Sequence, residues 1–271
     1  MSGEARSIEA SAAPVTQAGL ADDLRRLGVR PGSVLLVHTS MTALGWVCGG
    51  PQAVVGALLD ALGPDGTLVV PTHSNSNSEP SEWQNPPVPE DWWPVIRAEM
   101  PPYDPARTPS RGLGVVVELV RTWPGARRSG HPHYSFAAIG PAADVVTAGH
   151  ALDSGLGEES PLARVHDLDG DVLLLGAGHG SNTSLHLAEY RIAKPNRGES
   201  GAAIVRNGRR EWATWEDVIG DEEDFDRIGA AFDATGAVTI GQVGVGEARL
   251  MRQRELVAFG VGWMVENRGG A

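Results

Sequence analysis

The stretch that decides the fold is Asp171–Glu189, with the sequence DVLLLGAGHGSNTSLHLAE. Val172–Leu175 is a short and wholly apolar run, which predicts a buried strand. The glycines that follow permit a tight turn, and Asn182–Ser184 offers N-cap residues for a helix that begins near Leu185. We therefore predict a strand, a turn and a helix in this order.

The predicted helix carries an imidazole and a carboxylate on one face. His186 and Glu189 are three residues apart in the sequence, so their side chains share one side of a helix. On the first turns of a helix that follows a strand, such a pair is suited to general-base chemistry. The alternative is a polar pair on an exposed helix face, and this stretch alone does not separate the two interpretations.

Polar residues also follow two further predicted strands. Ser33–His38 and Thr67–Val70 are apolar runs joined through a helix that ends at Leu62, which predicts a right-handed βαβ unit. Ligands of such units bind beyond the carboxyl ends of the strands. The residues at those ends are His38, Thr39, Ser40, Thr72 and His73.

The remaining chain predicts one domain with an appended tail. Residues 1–15 lack the apolar core of a secretory signal and are predicted to be a disordered tail. Thr16 is expected to cap a first helix that ends at Gly28, and a strand is predicted near Val238–Ile240. A final helix is expected to use Leu250, Leu256, Phe259 and Trp263. Because we find neither a repeat nor a linker, residues 16–268 are predicted to form a single α/β domain.

Two segments depart from the alternating α/β pattern. Residues 74–110, called here the Pro/Trp-rich segment, hold nine prolines and three tryptophans, which predicts an ordered lid over the pocket. Farther along, Ala202–Val205 and Glu211–Thr214 flank the dipeptide Asn207-Gly208, which predicts a β-hairpin.

The charge of the chain bears on its partners. The net charge is −12, and such a surface repels nucleic acid and anionic membranes but attracts a small polycation. Glu211–Asp226 holds eight acids and no base, a pattern most often found on a solvated face. The single Cys48 excludes an internal disulfide, fits a reducing cytoplasm and is predicted to be a buried structural thiol.

Three short patterns point weakly to other functions. Gly176-Ala-Gly178 follows a strand as in dinucleotide-binding turns, but Ser181 stands where the third glycine belongs. The pair His131 and His133 lacks the further spaced ligands of a zinc site. The loop that begins at Arg111 starts like that of the common N-acetyltransferase fold, but its last position is a valine and its flanking elements differ in order.

Seven motifs occur in a fixed order between residues 16 and 265: His38-Thr-Ser40, Gly45–Gly50, Pro71-Thr72, Glu79–Trp83, Thr108–Gly114, Arg128–Pro132 and Asn182–Glu189. In this combination the chain resembles the aminoglycoside 3-N-acetyltransferases of the antibiotic N-acetyltransferase family. The resemblance implies a three-layer α/β/α sandwich with a mixed central sheet, unrelated to the common N-acetyltransferase fold. It also implies acetyl-CoA as donor, the 3-amine of a 2-deoxystreptamine ring as acceptor, and a cytoplasmic antibiotic-resistance enzyme.

The resemblance assigns His186 to the family's catalytic histidine. A neutral imidazole oriented by Glu189 can accept the proton of the attacking amine, and the hydroxyls of Thr39 and Ser40 can stabilise the oxyanion. No covalent acyl-enzyme is required, because the amine is itself the nucleophile. No metal site is expected.

The expected ligand contacts divide into two sets. The residues expected to bind acetyl-CoA are His38, Thr39, Ser40, Trp46, Val47, Cys48, Gly49, Gly50, Thr72, His73, Thr108, Pro109, Ser110, Arg111, Gly112, Leu113, Ser135 and Phe136. Among them, Arg111 is expected to contact the phosphates of CoA. The residues expected to bind the aminoglycoside are Glu79, Asp104, Asn182, His186, Glu189, Asp221, Glu222, Glu223 and Asp224.

Three alternatives remain at this point. One is an acetyl-CoA-dependent N-acyltransferase that acts on a different amine in biosynthesis. Another is a non-catalytic protein that sequesters aminoglycosides in an acidic pocket. The third is a metal-dependent hydrolase built on His131, His133, His179 and Glu189, which a chelator would inactivate.

Overall fold

The structure is a computed structural model that describes residues 3–268, with the exception of the side chain of Asn75. Met1 and Ser2 of the predicted tail therefore lie outside the described residues. The helices in this range are α1 Gly3–Glu9, α2 Gln17–Leu27, α3 Gly50–Leu62, α4 Trp93–Glu99, α5 Val115–Arg121, α6 Ala143–Thr147, α7 Pro161–Asp167, α8 Ser184–Arg191, α9 Phe225–Asp233 and α10 Gln253–Asn267. The strands are β1 Val34–Thr39, β2 Thr67–Pro71, β3 Arg127–Arg128, β4 Phe136–Ile139, β5 Asp171–Leu175, β6 Arg197–Arg206, β7 Arg209–Val218, β8 Val238–Val243 and β9 Gly246–Arg252.

The central sheet is mixed, as expected. Across the described residues it has seven strands in the order β3-β4-β2-β1-β5-β9-β8. β1 pairs in parallel with β2 and with β5, whereas β4 and β9 extend the sheet on either side by antiparallel pairing. The carboxyl ends of β1, β2 and β5 therefore lie at one edge, which is where the predicted polar residues follow.

The predicted three-layer arrangement is confirmed by the two hydrophobic cores. Leu35 and Val37 of β1 pack on the side of α2, α3 and α5. The intervening Leu36 packs on the opposite side, against residues of α6, α7, α8, α9 and α10. Because successive side chains of a strand point to opposite faces, strands with a continuous apolar run, such as β1 and β5, are those that helices cover on both sides.

The N-terminal segment differs from the prediction. Residues 3–9 form α1 instead of a disordered tail, and Val15 forms a β-bridge with Val47. The backbone N–H of Trp46 also donates a hydrogen bond to Ser11 Oγ over 2.8 Å. This order depends on contacts with residues 46–48, far along the chain, which the composition of the segment does not reveal.

The predicted hairpin is confirmed as the ribbon β6–β7. Its turn residues Asn207 and Gly208 have φ values of 54° and 74°, the left-handed conformation that such a turn requires. The Pro/Trp-rich segment is ordered and lies against this ribbon. In that contact the backbone N–H of Tyr103 donates to the carbonyl oxygen of Ala203 over 2.9 Å.

The C-terminal part contains a strand that the sequence reasoning missed. Leu250 lies in β9, between β5 and β8, and not in the final helix as predicted. Helix α10 begins three residues later, at Gln253. The acidic stretch was not predicted to be helical, yet α9 begins at its end, at Phe225. No helix among residues 3–268 is long and apolar enough to cross a membrane.

Candidate active site

The His186–Glu189 pair is the centre of the site. β5 ends at Leu175, and α8 begins at Ser184 after a connection that contains the 3-10 turn His179–Ser181. Both side chains project from the first two turns of the helix. His186 Nδ1 lies 2.7 Å from Glu189 Oε2, and the Glu189 side chain is only 3% exposed. With Nδ1 hydrogen-bonded to the carboxylate, the other ring nitrogen, Nε2, is left to accept a proton. We call this pair the dyad.

The dyad opens into a cavity of about 300 Å³ at the carboxyl ends of the parallel strands. The lining residues that the sequence had singled out are His38, Thr39, His73, Gly112, Leu113, Asn182, His186 and Glu222. Strand ends far apart in the sequence thus meet at one place, as the βαβ argument predicts. We call this space the dyad cavity.

Two further histidines of the dyad cavity are held neutral. Burial, with the neighbouring His186 as a second cause, lowers the pKa of both His38 and His73 to about 3. His38 Nε2 lies 3.3 Å from the hydroxyl of Thr183, whereas His73 Nε2 has no hydrogen-bond partner among residues 3–268. Neither ring therefore adds positive charge to the dyad cavity.

A second, larger space meets the dyad cavity. This apolar groove of about 840 Å³ shares Thr39, Gly112 and Leu113 with the dyad cavity. Its other lining residues are Glu4, Ser7, Ser40, Met41, Thr42, Gly45, Trp46, Val47, Gly50, Gly114 and Val115. A long ligand in the groove therefore reaches the dyad past Thr39.

Several residues expected to bind acetyl-CoA do not line either space. Phe136 is fully buried in a hydrophobic core, so it offers no surface to a ligand. Ser135 and Thr72 are also fully buried, and the Ser135 hydroxyl donates to the Thr72 carbonyl oxygen. The predicted contacts of these three residues are corrected on this ground. Cys48 is exposed, not buried as predicted, and with Gly49 it lies beside the groove-lining residues.

Only the end of the Thr108–Leu113 loop lines the groove. The Ser110 hydroxyl donates to Glu118, and Thr108 Oγ1 accepts from the backbone N–H of Asp104, so both have partners within the protein. Arg111 lines a different depression, together with Trp83 and His133. Thr108 and the exposed Pro109 border a further depression on the Pro/Trp-rich segment. The groove instead takes Gly112 and Leu113 from the end of this loop.

Few of the acids expected to bind the aminoglycoside line the dyad cavity. Glu222 lines the dyad cavity, with Oε2 3.8 Å from His186 Nε2. Asp224 forms an ion pair with Arg268, and the side chain of Asp221 accepts a hydrogen bond from the backbone N–H of Glu223. Glu223 is itself exposed. These three acids do not line the cavity.

The Pro/Trp-rich segment does not cover the dyad cavity, contrary to the prediction. None of its residues 74–110 lines that space. Glu79 forms an ion pair with Arg97, and Asp104 accepts from the backbone N–H of Ala106, so both carboxylates serve the segment itself. The segment instead borders two neighbouring depressions beside β6–β7.

The histidines of the hydrolase alternative have other partners. His131 Nδ1 accepts from the backbone N–H groups of His133 and Tyr134, and His133 Nε2 lies 3.2 Å from the Gly201 carbonyl oxygen. His179 Nε2 lies 3.0 Å from Asp233. Within residues 3–268 no group of three or more His, Cys, Asp or Glu side chains is arranged to hold a metal ion.

Sequence reasoning missed one charged neighbour of the dyad. Arg268 Nη1 donates to Glu189 Oε1 over 2.6 Å. The two residues are 79 positions apart, and no local pattern connects them.

Comparison with known proteins shows the family of this chain. The family model described as aminoglycoside 3-N-acetyltransferase matches residues 36–265. The chain is 42% identical to the SPbeta prophage-derived aminoglycoside N(3')-acetyltransferase-like protein YokD of Bacillus subtilis (strain 168), over 96% of each chain. It is 39% identical to aminoglycoside N(3)-acetyltransferase III of Pseudomonas aeruginosa, over 95% of this chain and 96% of the other.

Solved structures share the fold. The crystal structure of YokD from Bacillus subtilis has a TM-score of 0.96 at 42% identity, covering 97% of this chain and 98% of that one. AAC-IIIb in binary complex with CoASH has a TM-score of 0.84 at 32% identity, covering 96% and 99%. AAC-VIa bound to sisomicin has a TM-score of 0.85 at 33% identity, covering 96% and 100%.

The family model and the curated relatives define the protein as an acyltransferase. The chain belongs to the aminoglycoside 3-N-acetyltransferase family, which the sequence motifs had indicated.

Proposed function

We propose that this protein transfers the acetyl group of acetyl-CoA to the 3-amine of the 2-deoxystreptamine ring of an aminoglycoside. His186 acts as the general base, and no covalent acyl-enzyme forms. The observation that carries the proposal is the dyad, whose Nε2 faces a cavity that is continuous with a long apolar groove. The relatives bound to CoASH and to sisomicin support the two substrate classes.

The mechanism follows from the position of the two ring nitrogens. An aliphatic ammonium must lose a proton before it can attack, and His186 Nε2 accepts that proton while Nδ1–H donates to Glu189. The amine nitrogen then bonds to the thioester carbonyl carbon, and the hydroxyl of Thr39, which borders both spaces, donates to the resulting oxyanion. When the C–S bond breaks, the imidazolium returns its proton to the CoA thiolate, and the nitrogen of the new amide releases its remaining extra proton to water.

Release of free CoA thiol with a panel of aminoglycosides tests this function. We expect release that depends on the acceptor, with the acetyl group found on the 3-amine by NMR of the product. An acceptor that carries no 2-deoxystreptamine but reacts faster would instead favour the biosynthetic alternative. Tight aminoglycoside binding without any CoA release would favour a sequestering protein.

The apolar groove is the proposed site of the pantetheine arm of acetyl-CoA. Replacing Trp46, which lines the groove, with alanine should raise the KM for acetyl-CoA about tenfold, because a large apolar contact is lost. The aminoglycoside KM should change little. Trp92→Ala is the matched control, because Trp92 is 58% exposed and lines neither space. Equal acetyl-CoA KM values for the two variants would place the donor elsewhere.

Glu222 is the proposed acid that receives a substrate ammonium beside His186. Because its side chain is 73% exposed, we expect a contribution of roughly 0–1 kcal/mol, so Glu222→Gln should raise the aminoglycoside KM about two- to fivefold. The effect should grow at low salt, while the acetyl-CoA KM stays constant.

The control for Glu222 is its neighbour Glu223, which is exposed but does not line the dyad cavity. Glu223→Gln removes the same charge from the same loop and should leave the aminoglycoside KM near that of the wild type. If both variants change KM alike, the acidic loop acts only through its total charge.

A further inference from the structure

Arg268 links the dyad to the acidic loop. Its guanidinium donates to Glu189 Oε1 over 2.6 Å, to Asp224 Oδ1 over 2.6 Å and to Asp224 Oδ2 over 3.1 Å. A further bond, of 2.6 Å, reaches the carbonyl oxygen of Asp221. The Arg268 side chain is 20% exposed, so these contacts are largely shielded from water. One cation therefore ties together α8, the loop that carries Glu222 and the end of α10.

The contacts of Glu189 divide between its two oxygens. Oε1 accepts from Arg268 and from the backbone N–H of Asp221, whereas Oε2 is paired with His186 Nδ1. A carboxylate held at both oxygens cannot rotate without breaking a charge-assisted hydrogen bond. Without Arg268, a single backbone donor would oppose that rotation.

We infer that Arg268 is a positioning residue for acetyl transfer. It fixes the orientation in which Glu189 presents Oε2 to His186, and it sets the electric field in which the imidazole takes up its proton. The inference rests on the proposed function of the dyad. It adds a residue outside the seven sequence motifs to the catalytic arrangement.

The charges around the dyad determine the direction in which each substitution should shift the pH profile of the reaction. The titratable groups that face His186 are Glu189 on α8, Glu222 on the acidic loop, His38 at the end of β1 and His73 after β2. The two histidines are neutral, so the charged neighbours are the carboxylates and, behind Glu189, the pair formed by Arg268 and Asp224. Partial burial alone would lower the pKa of Arg268, but its bonds to Asp224 and Glu189 raise it, so the guanidinium stays charged.

Removing the cation and removing its counter-ion must therefore act in opposite directions. Arg268→Ala deletes a positive charge that opposes protonation of the imidazole, so the acid limb of the kcat/KM profile should move to higher pH. Asp224→Asn deletes a negative charge and leaves Arg268 to Glu189 alone, so the acid limb should move to lower pH. A role confined to folding would shift neither limb.

The experiment measures kcat, both KM values and the melting temperature of four variants between pH 5.5 and 9. For Arg268→Ala we expect kcat to fall about 10- to 100-fold at an unchanged acetyl-CoA KM, since a small misplacement of a catalytic group is costly. Arg268→Lys should restore part of kcat and return the acid limb most of the way to its wild-type position. The reason is that lysine supplies the positive charge but not the bidentate contacts of a guanidinium. Arg254→Ala is the control: this arginine of α10 donates to the His166 and Asp167 carbonyl oxygens, and its loss should leave the profile unchanged.

The outcomes separate the possible failures. A folded Arg268→Ala protein with the wild-type kcat and acid limb would overturn the inference, as would a lower kcat with an unmoved limb and no rescue by lysine. If Arg268→Ala does not fold, the positions of the acid limbs of Arg268→Lys and Asp224→Asn test the inference instead. Titration of the His186 ring by NMR without substrates, expected to move up in Arg268→Ala and down in Asp224→Asn, decides the inference even if the wild type acetylates no aminoglycoside.

Discussion

Replacing His186 with glutamine is expected to lower kcat for acetyl transfer by about 100-fold or more, because an amide cannot accept a proton at neutral pH. Acetyl-CoA should still bind, since His186 lines the dyad cavity and not the apolar groove. Steady-state kinetics with both substrates, together with calorimetric binding of acetyl-CoA, measure the two effects separately.

The control for this variant is His166→Gln, because His166 is bonded to Arg191 and lies outside both spaces. It should keep the wild-type kcat. If His186→Gln retained more than about a tenth of the wild-type kcat, the base would lie elsewhere. His73 would be a poor substitute, because its buried ring has a pKa of about 3 and takes up a proton reluctantly near neutrality.

Lowering the pH from 7 to 5 is expected to lower the free energy of unfolding by several kcal/mol, a large part of the stability of a typical domain. Five histidines are responsible, each with a pKa that burial lowers well below its usual value: the buried His38, His73, His131 and His133, and the half-buried His150. In the unfolded chain each takes up a proton near pH 6.5. The stability they confer is therefore complete above that pH and is lost as the pH falls.

The size of the acid effect follows from linkage. Each histidine contributes about 2 kcal/mol between pH 7 and 5, because the unfolded state binds about one more proton per group below pH 6.5. Two buried carboxylates, Asp171 and Asp217, oppose the trend, since burial raises their pKa. Because only these two carboxylates oppose the five histidines, the free energy of unfolding still falls as the pH is lowered.

Denaturant unfolding at successive pH values measures this slope. His150, whose ring nitrogens lie 2.9 Å from Ser129 Oγ and 2.7 Å from the Gly155 carbonyl oxygen, offers a variant with one titrating group fewer. His150→Gln should reduce the slope by about 1.4 kcal/mol per pH unit below pH 6, whatever its effect on stability at pH 7. A wild-type stability that stays constant down to pH 5 would contradict the neutral state of these rings.

The features that sequence reasoning predicted correctly depend on neighbours in the chain. The strand at Val172–Leu175 and the helix after it were predicted from an apolar run, a glycine turn and polar cap residues. Both elements are present, although Thr183 at the N-cap makes no side-chain capping hydrogen bond. The three-residue spacing of His186 and Glu189 then places them on one face. The alternation of side chains that places successive apolar residues in the two cores is likewise a property of each single strand.

The errors arise where distant segments meet. Leu250 was predicted in a helix, whereas it lies in a strand that pairs with the distant β5, through Leu173, and with β8, through Thr239. Phe136 was expected to contact acetyl-CoA but points into the core, since the pleat of β4 decides its direction. Which acid faces the dyad cavity also depends on a distant partner, because Arg268 binds Asp224 and leaves Glu222 free to face His186.

The central claim is direct transfer of the acetyl group to the acceptor amine at the dyad. The most direct test incubates the wild-type protein with acetyl-CoA, with and without an aminoglycoside, and records CoA release and the intact protein mass. We predict no CoA release and no change of protein mass until the aminoglycoside is added, and then one CoA for each 3-N-acetylated product. A protein that gains the mass of one acetyl group and releases CoA without an acceptor would contradict the claim.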